Sequence, residues 1–310
     1  MDLSGPSALA DLQLVGRFGE LGYHRFPERL HEGSAASLLW NIRATRRFDA
    51  GLFLDEAAFE ADPQYRGVNP KPGRNLLERF SGQLGFVERA PQIVSALSAL
   101  LGPDYSVLDR KVVCGVPDSC VPDWLRERIR GNPVNNLGPY VRPEYRDITY
   151  FYGIDFHQDL IDHPARDADF LTLYVYLHPV TVTDAPLFLL EGSHALGASV
   201  FPHDLSPLRD GARRYRNGAA GEESCRQIML TGGAGQVALW HACTLHGTQP
   251  DAADHERISL RYLFARGGAA HAGIDGVNAG LRGRVSLDAT RVDLDVAGAA
   301  ALRGNIVNGA

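Results

Sequence analysis

Four residues of this chain have types and spacing that could do chemistry together. They stand in Phe156-His-Gln-Asp159, in Leu245-His-Gly-Thr248 and, eleven positions past the second histidine, at Arg257. Two imidazoles and one carboxylate on one face of an octahedral iron(II) leave three coordination positions open, enough for an organic acid and dioxygen together. His157, Asp159 and His246 are therefore the candidate metal ligands and catalytic centre, and the chemistry they point to is oxygen activation. Arginine offers a planar, permanently charged fork whose two parallel donors offset the cost of burying a carboxylate. Arg257 is the candidate for gripping the far end of a dicarboxylate.

These side chains need elements to aim them. Residues two apart share a face of a strand as long as the strand continues. After Asp159, however, Asp162, His163, Pro164, Arg166, Asp167 and Asp169 form a polar, proline-containing stretch that reads as a loop. Arg257 opens Arg257-Ile-Ser-Leu-Arg-Tyr-Leu-Phe264, where alternation puts Arg257, Ser259, Arg261 and Leu263 on one face. Arg261 is thus a second candidate for the carboxylate. An H-x-D triplet alone is weak in a chain with 11 histidines and 37 acidic residues, so its weight comes from the motifs around it.

Those motifs occur in order. They are His157-Gln-Asp159, Leu171-Thr-Leu-Tyr-Val-Tyr-Leu177, Asp184-Ala-Pro-Leu187, Glu191-Gly-Ser-His194, Trp240 followed by His246-Gly-Thr-Gln-Pro-Asp251, and Arg257. Together, across roughly residues 150–266, the chain resembles the phytanoyl-CoA dioxygenase-like branch of the iron(II)- and 2-oxoglutarate-dependent oxygenases. That branch runs H-x-D, L-T-x-W-V-x-L, N-G-P-L, P-G-S-H, W-x(5)-H-G-S-x-P-N and a distal arginine. The chain departs from this pattern at Ala185 (for glycine), Glu191 (for proline), Thr248 (for serine) and Asp251 (for asparagine), and none of these removes a metal ligand. The resemblance implies a mainly β fold with flanking helices around a double-stranded β-helix, the cupin-like jelly roll. It implies iron(II), with 2-oxoglutarate and dioxygen as cosubstrates, and release of succinate and carbon dioxide as an unactivated C–H bond is oxidised. It also makes Thr172, Tyr174 and Thr248 further candidates for holding the oxoacid. Related halogenases carry a small residue at the position of Asp159, so the carboxylate there favours hydroxylation or desaturation over halogenation.

Around these motifs the chain reads as three zones of one domain spanning residues 1–310, because a boundary inside the motif block would split the site. Residues 1–106 are mainly helical, with helical spacing over 7–21 and 35–47 and an amphipathic helix over 86–101 that stops at Gly102-Pro103. Residues 62–75 carry prolines, glycines, Lys71 and Arg74, the composition of an ordered loop or lid. Residues 107–266 hold short apolar runs at 149–156, 171–177, 187–190, 226–230, 236–240 and 258–264, which suit a two-sheet jelly roll with a metal at its mouth. The polar insertion 203–224 reads as a solvent-facing loop placed to cover the pocket. The extension 267–310 is rich in glycine and alanine, with alternation over 285–296 that suits an edge strand or packing arm.

Composition narrows the function classes. A net charge of −6 with both signs interspersed has no nucleic-acid footprint and no charge-driven attraction to a membrane. The opening Met1-Asp-Leu-Ser-Gly-Pro lacks the basic and apolar regions of a secretory signal, so a cytoplasmic location is expected. Cys114, Cys120, Cys225 and Cys243 form no C-x-x-C pair and are expected to be free. His24, His31, His203 and His271 lack a second ligand nearby and read as surface or capping residues. His163 and His241 lie close enough to the motifs to line the pocket or support a ligand, and His194 reads as structural. The expected partner is a small molecule, a metabolite or a natural-product biosynthetic intermediate, since no basic patch suits the phosphates of coenzyme A. Nothing in the sequence speaks to oligomeric state. Two rivals remain at this level. One is a cupin-type metal enzyme without 2-oxoglutarate, which would leave Arg257 with no carboxylate to bind, and the other is a silent jelly-roll binding protein, whose hallmark would be a broken triad.

Overall fold

Alternation along the strands decides which residues face the site and which face the helices. A computed structural model describes residues 6–61 and 76–292, so the candidate lid at 62–75 and the end of the candidate arm beyond 292 lie outside the described residues. The N-terminal zone contains α1 (Pro6–Leu21), the short β1 (Tyr23–Arg25), α2 (Glu32–Arg43), α3 (Glu56–Ala61), α4 (Gly85–Glu88) and α5 (Pro91–Leu101). The single helix expected over 86–101 is two. Ala90 is extended, at φ −64° and ψ 122°, because the ring of Pro91 disfavours helical backbone in the residue before it, and Pro91 then opens α5 where no N–H is needed.

The central region contributes β2 (Ser106–Gly115), α6 (Asp123–Ile129), β3 (Val134–Asn136), β4 (Thr149–His157), β5 (Phe170–Tyr176), β6 (Leu187–Leu190), β7 (Asp204–Pro207), β8 (Arg213–Arg216), β9 (Glu222–Cys225), β10 (Gln227–Leu230), β11 (Val237–His241), β12 (His246–Thr248) and β13 (Arg257–Ala265), followed by α7 (Ala272–Ala279). Ten strands make one curled sheet in the order β1-β11-β5-β13-β2-β4-β12-β6-β10, with β3 beside β4. All of its pairings are antiparallel except β2 with β4, where the two halves of the jelly roll join.

The period of two sorts the side chains. Leu171, Leu173 and Val175 of β5, Val237 and Leu239 of β11, and Ile258, Leu260, Tyr262 and Phe264 of β13 share one core with Phe18 of α1, Leu38 and Ile42 of α2 and Leu97 and Leu100 of α5. The opposite faces of the same strands present Tyr174, Tyr176, Ala238 and Trp240 to Leu187, Leu189 and Leu230 of the other half. Every residue of β5 is buried, as a strand covered by helices on one side and a facing sheet on the other must be.

Two regions depart from the sequence reading. The insertion at 203–224 is not a loop: β7, β8 and β9 form a separate three-stranded antiparallel sheet. Its strands are written in arginine and glutamate, with Arg216 of β8 paired to Asp204 and Glu222 on the two flanking strands, while Tyr215 is buried among Phe156, Phe188 and Leu245. The C-terminal region supplies α7, which packs on α1 and α5, and then a chain without a strand through residue 292. This segment runs as a packing arm, accepting from Ala165 and Ala168 through Leu287 and Val285 and exchanging backbone bonds with Phe201 through Thr290 and Val292. Among the described residues no helix is long and apolar enough to cross a membrane, and all four cysteines are free.

Candidate active site

His157 ends β4 and His246 begins β12, and the two are direct partners across that antiparallel pair. Their ring centroids are 4.2 Å apart. Each ring sets its tautomer in the same way: Nδ1 lies 3.0 Å from the backbone oxygen two residues upstream, of Asp155 for His157 and of Thr244 for His246. A carbonyl can only accept, so the proton sits on Nδ1 and the Nε2 lone pair is left for a metal. Burial holds both rings neutral, pressing the pKa of His157 well below its ordinary value, with His246 adding to the effect, and lowering that of His246.

Asp159 begins a short 3-10 turn, residues 159–162, directly after β4 ends, so the chain bends where a third ligand is needed. Burial alone would raise its pKa. The Arg261 guanidinium on Oδ1 and Thr172 on Oδ2 outweigh burial and hold the carboxyl far below the usual carboxylate range. Trp240 Nε1 donates to Oδ2 at 2.9 Å, and His246 Nε2 stands 3.6 Å from the same oxygen. One ligand atom from each of His157, Asp159 and His246 lies within 4.8 Å of the others, a set that can hold a divalent transition ion and leave half of an octahedron open.

Gln158, between two of these ligands, points the other way and is fully buried. Its Nε2 donates to Gly197 and Cys243 carbonyls at 2.8 and 2.9 Å, and its Oε1 accepts from Ser199 N at 2.9 Å. All its polar atoms are used, which ties the turn after β4 to the segments on both sides of it.

The second half of the site is built around Arg257, 1% exposed at the start of β13. Its Nη1 donates to the Ala185 carbonyl and lies 3.4 Å from Thr248 Oγ1, which itself donates to Ala185 O at 2.8 Å. Ala185 has a positive φ of 46°, the backbone that the glycine of the family turn would adopt without strain. The guanidinium carbon is 5.9 Å from the centre of the Tyr174 ring. Arg257 Nε, Tyr174 Oη and Ser259 Oγ are buried and have no hydrogen-bond partner among the described residues. His178 fixes the start of this strand, accepting from Ile258 N at 3.0 Å. Trp240 links the two halves, stacked on Tyr174 at 5.9 Å and tilted against His246 at 4.9 Å.

The structure thus brings His157, Asp159 and His246 together and places Arg257, Thr248 and Tyr174 in one adjoining cluster. Thr172 and Arg261 lie on Asp159 instead. Sequence reasoning put Ser259 on the right face without naming it as a site residue, although the alternation that located Arg257 could have found it. Gln158 and His178 carried no signal, since their partners are distant backbone groups. Among the other histidines, His241 bridges Cys243 N and Asn278, His194 reaches the Gly19 carbonyl, and His31 and His271 cap α2 and α7.

Comparison with known proteins agrees with this geometry. Residues 140–259 match the family model of phytanoyl-CoA dioxygenase. A probable alpha-ketoglutarate-dependent hypophosphite dioxygenase of Stutzerimonas stutzeri is 31% identical over 134 residues, covering 38% of this chain and 41% of that protein. The match therefore spans about two fifths of that curated relative's length. Among solved structures, the non-heme alpha-ketoglutarate-dependent epimerase SnoN from nogalamycin biosynthesis superposes with a TM-score of 0.50 at 18% identity, over 95% of this chain and 93% of that one. EvdO2 from Micromonospora carbonacea var. aurantiaca, complexed with 2-oxoglutarate, does so with a TM-score of 0.50 at 16% identity, over 84% and 92%. These two likenesses are of fold, the jelly roll with flanking helices.

Proposed function

We propose that this chain, which carries a phytanoyl-CoA dioxygenase family segment over residues 140–259, is an iron(II)- and 2-oxoglutarate-dependent dioxygenase. Its substrate is a small metabolite or natural-product intermediate with an unactivated C–H bond, and its by-products are succinate and carbon dioxide. The observation that carries this reading is a buried cation beside unpaired donors: Arg257 Nε, Tyr174 Oη and Ser259 Oγ have no partner among the described residues. An uncompensated guanidinium in the interior costs several kcal/mol (~3 to 5) unless an anion meets it. Asp251, an acid whose charge acts on Arg257, makes no ion pair with it among the described residues, and one of its oxygens is left without a partner there.

The residues fit both absent groups. His157, His246 and Asp159 would hold iron(II), which when bound supplies oxygen activation coupled to decarboxylation of the oxoacid. Arg257 pairs with the far carboxylate, with Tyr174 and Ser259 as added donors and Thr248 holding the guanidinium's other edge. Trp240 and Tyr174 set aromatic surface between the two halves of the site, which lowers the local dielectric and strengthens the ion pair. A metal enzyme of this fold without 2-oxoglutarate would leave the Arg257 cluster unexplained, and a silent binding protein would not need two imidazoles with free Nε2 lone pairs. The whole chain is proposed to act as one domain over 1–310, in the cytoplasm, on a small-molecule partner. The test is stoichiometric: oxygen uptake that requires iron(II) and 2-oxoglutarate and matches succinate formed supports the reading, whereas oxygen uptake without succinate contradicts it.

A further inference from the structure

Arg261 has a second cation beside it on the face that holds the site. In β2, alternation turns Val113 into the cluster of Tyr174, Tyr176, Leu189 and Trp240, and a side chain at Gly115 would meet Arg257. Lys111 and Asp109 continue the same period of two, so they share that inner face. Lys111 is the register partner of Arg261 on one side of β13, as Tyr174 is on the other. The two cations therefore leave neighbouring strands about 5 Å apart at the backbone. Because Arg261 reaches Asp159, both stand level with the triad, whereas Arg257 lies four residues back along β13.

The charges at this level are not evenly matched. Arg261 Nη2 donates to Asp159 Oδ1 and its Nη1 lies 3.6 Å from Asp109 Oδ2, so its fork is spent between two acids. Lys111 Nζ makes no hydrogen bond among the described residues. Its ion pair is to the same Asp109 oxygen, at 3.8 Å, which is beyond hydrogen-bond length. The Lys111 side chain is 24% exposed against 12% for Arg261, so the ammonium is the cation that an entering molecule can reach. Asp162 acts on both cations from an exposed position. Burial, and then the like charge of Arg261, still push the Lys111 ammonium down to about 8, which leaves it charged at pH 7 and short of counter-charge.

We propose that the Lys111 ammonium, set beside Arg261 on the inner face of β2, seats an oxyanion of the primary substrate, a carboxylate or a phosphonate. The proposal rests on the oxygenase reading above and narrows its substrate class to anionic small molecules. An ammonium is a point charge with three rotatable donors on a flexible stem, which suits one oxyanion of either geometry. The fixed fork of Arg257 suits the unvarying carboxylate of a cosubstrate. The two cations thus divide the work: the fully buried arginine holds the cosubstrate, and the accessible lysine selects the substrate.

The chain has two lysines, Lys71 and Lys111, so lysine labelling gives two sets of side-chain signals, and the set lost in Lys111→Met belongs to Lys111. The test uses the full chain, 13C-labelled at lysine and loaded with zinc(II) in place of iron and with 2-oxoglutarate, at pH 7. Acetate and methylphosphonate are the probes, with acetamide as the uncharged counterpart. At least one anion is expected to move the Lys111 signal saturably, and which of them does so tells a carboxylate site from a phosphonate site; acetamide should leave the signal in place. By calorimetry, the Kd of that anion should rise about tenfold or more in Lys111→Met, which keeps the stem, and be mostly recovered in Lys111→Arg, which keeps the charge. The Kd of 2-oxoglutarate should be unchanged in Lys111→Met. A signal unmoved by both anions, an equal response to acetamide, or an anion Kd unchanged in Lys111→Met would overturn the proposal. So would a loss of 2-oxoglutarate affinity in Lys111→Met, which would assign the ammonium to the cosubstrate. If the zinc-loaded parent does not bind 2-oxoglutarate, the oxygenase reading falls first and takes this assignment with it.

Discussion

Asp159 accepts hydrogen bonds from Thr172, Trp240 and Arg261 before any metal is considered. Three donors from three strands fix the plane of one carboxylate, which is what outer contacts of a metal ligand do. The three side chains that converge were legible in the sequence, because an ordered set of motifs names them. Their supports were not, since Thr172 and Arg261 are thirteen and 102 residues from Asp159. Asp251 offers a prediction at this scale. Its folded pKa of about 6 lies above the ordinary 3.8, so its contribution to stability is fully present below pH 3.8 and is lost as pH rises through 6. Asp251→Asn, which restores the family residue, is expected to stabilise the fold by about 1 to 2 kcal/mol at pH 8 and to give no gain below pH 4, as read by denaturant unfolding at both pH values.

At the scale of elements, the strands that frame the site were read from short apolar runs, with alternation added at β13. Leu187–Leu190 matches to the residue, and the runs around β4, β5, β11 and β13 differ by a residue or two at their ends. β12 was missed as a strand because three residues cannot show a period, and β7 to β9 were missed because alternation among arginines looks like a charged loop. Pro91 broke a helix whose apolar spacing runs on through it. Gln158 shows why the turn after β4 holds: its side chain ties residues 197, 199 and 243 to the motif. Gln158→Ala leaves two carbonyls and an N–H buried without these partners, so a loss of about 2 to 3 kcal/mol in stability is expected. The apparent Kd for iron(II) should rise about tenfold, as read by metal titration; unchanged values for both would show that the turn is held by other means.

For the whole molecule, one hydrophobic core runs from α1 and α2 through β5, β11 and β13 to α7. The helical zone therefore covers the outer face of the strands that carry Arg257, Tyr174 and Trp240. A single cooperative thermal transition is expected from this shared core. Iron(II) with 2-oxoglutarate, each near a hundred times its Kd, should raise its midpoint by about 5 °C or more through mass action, with the 2-oxoglutarate part absent in Arg257→Ala. Two separate transitions would show that the helical zone folds on its own.

The central claim is that the triad and Arg257 grip the two ends of one dicarboxylate. The most direct measurement is an anaerobic titration of the iron(II)-loaded protein with 2-oxoglutarate, following the metal-to-ligand charge-transfer band in visible light. The band should saturate in the parent protein, be absent in His246→Ala, and in Arg257→Ala require at least tenfold more 2-oxoglutarate, the lower bound for removing a buried charge pair. A saturable band with the same midpoint in the parent and in Arg257→Ala would contradict the account.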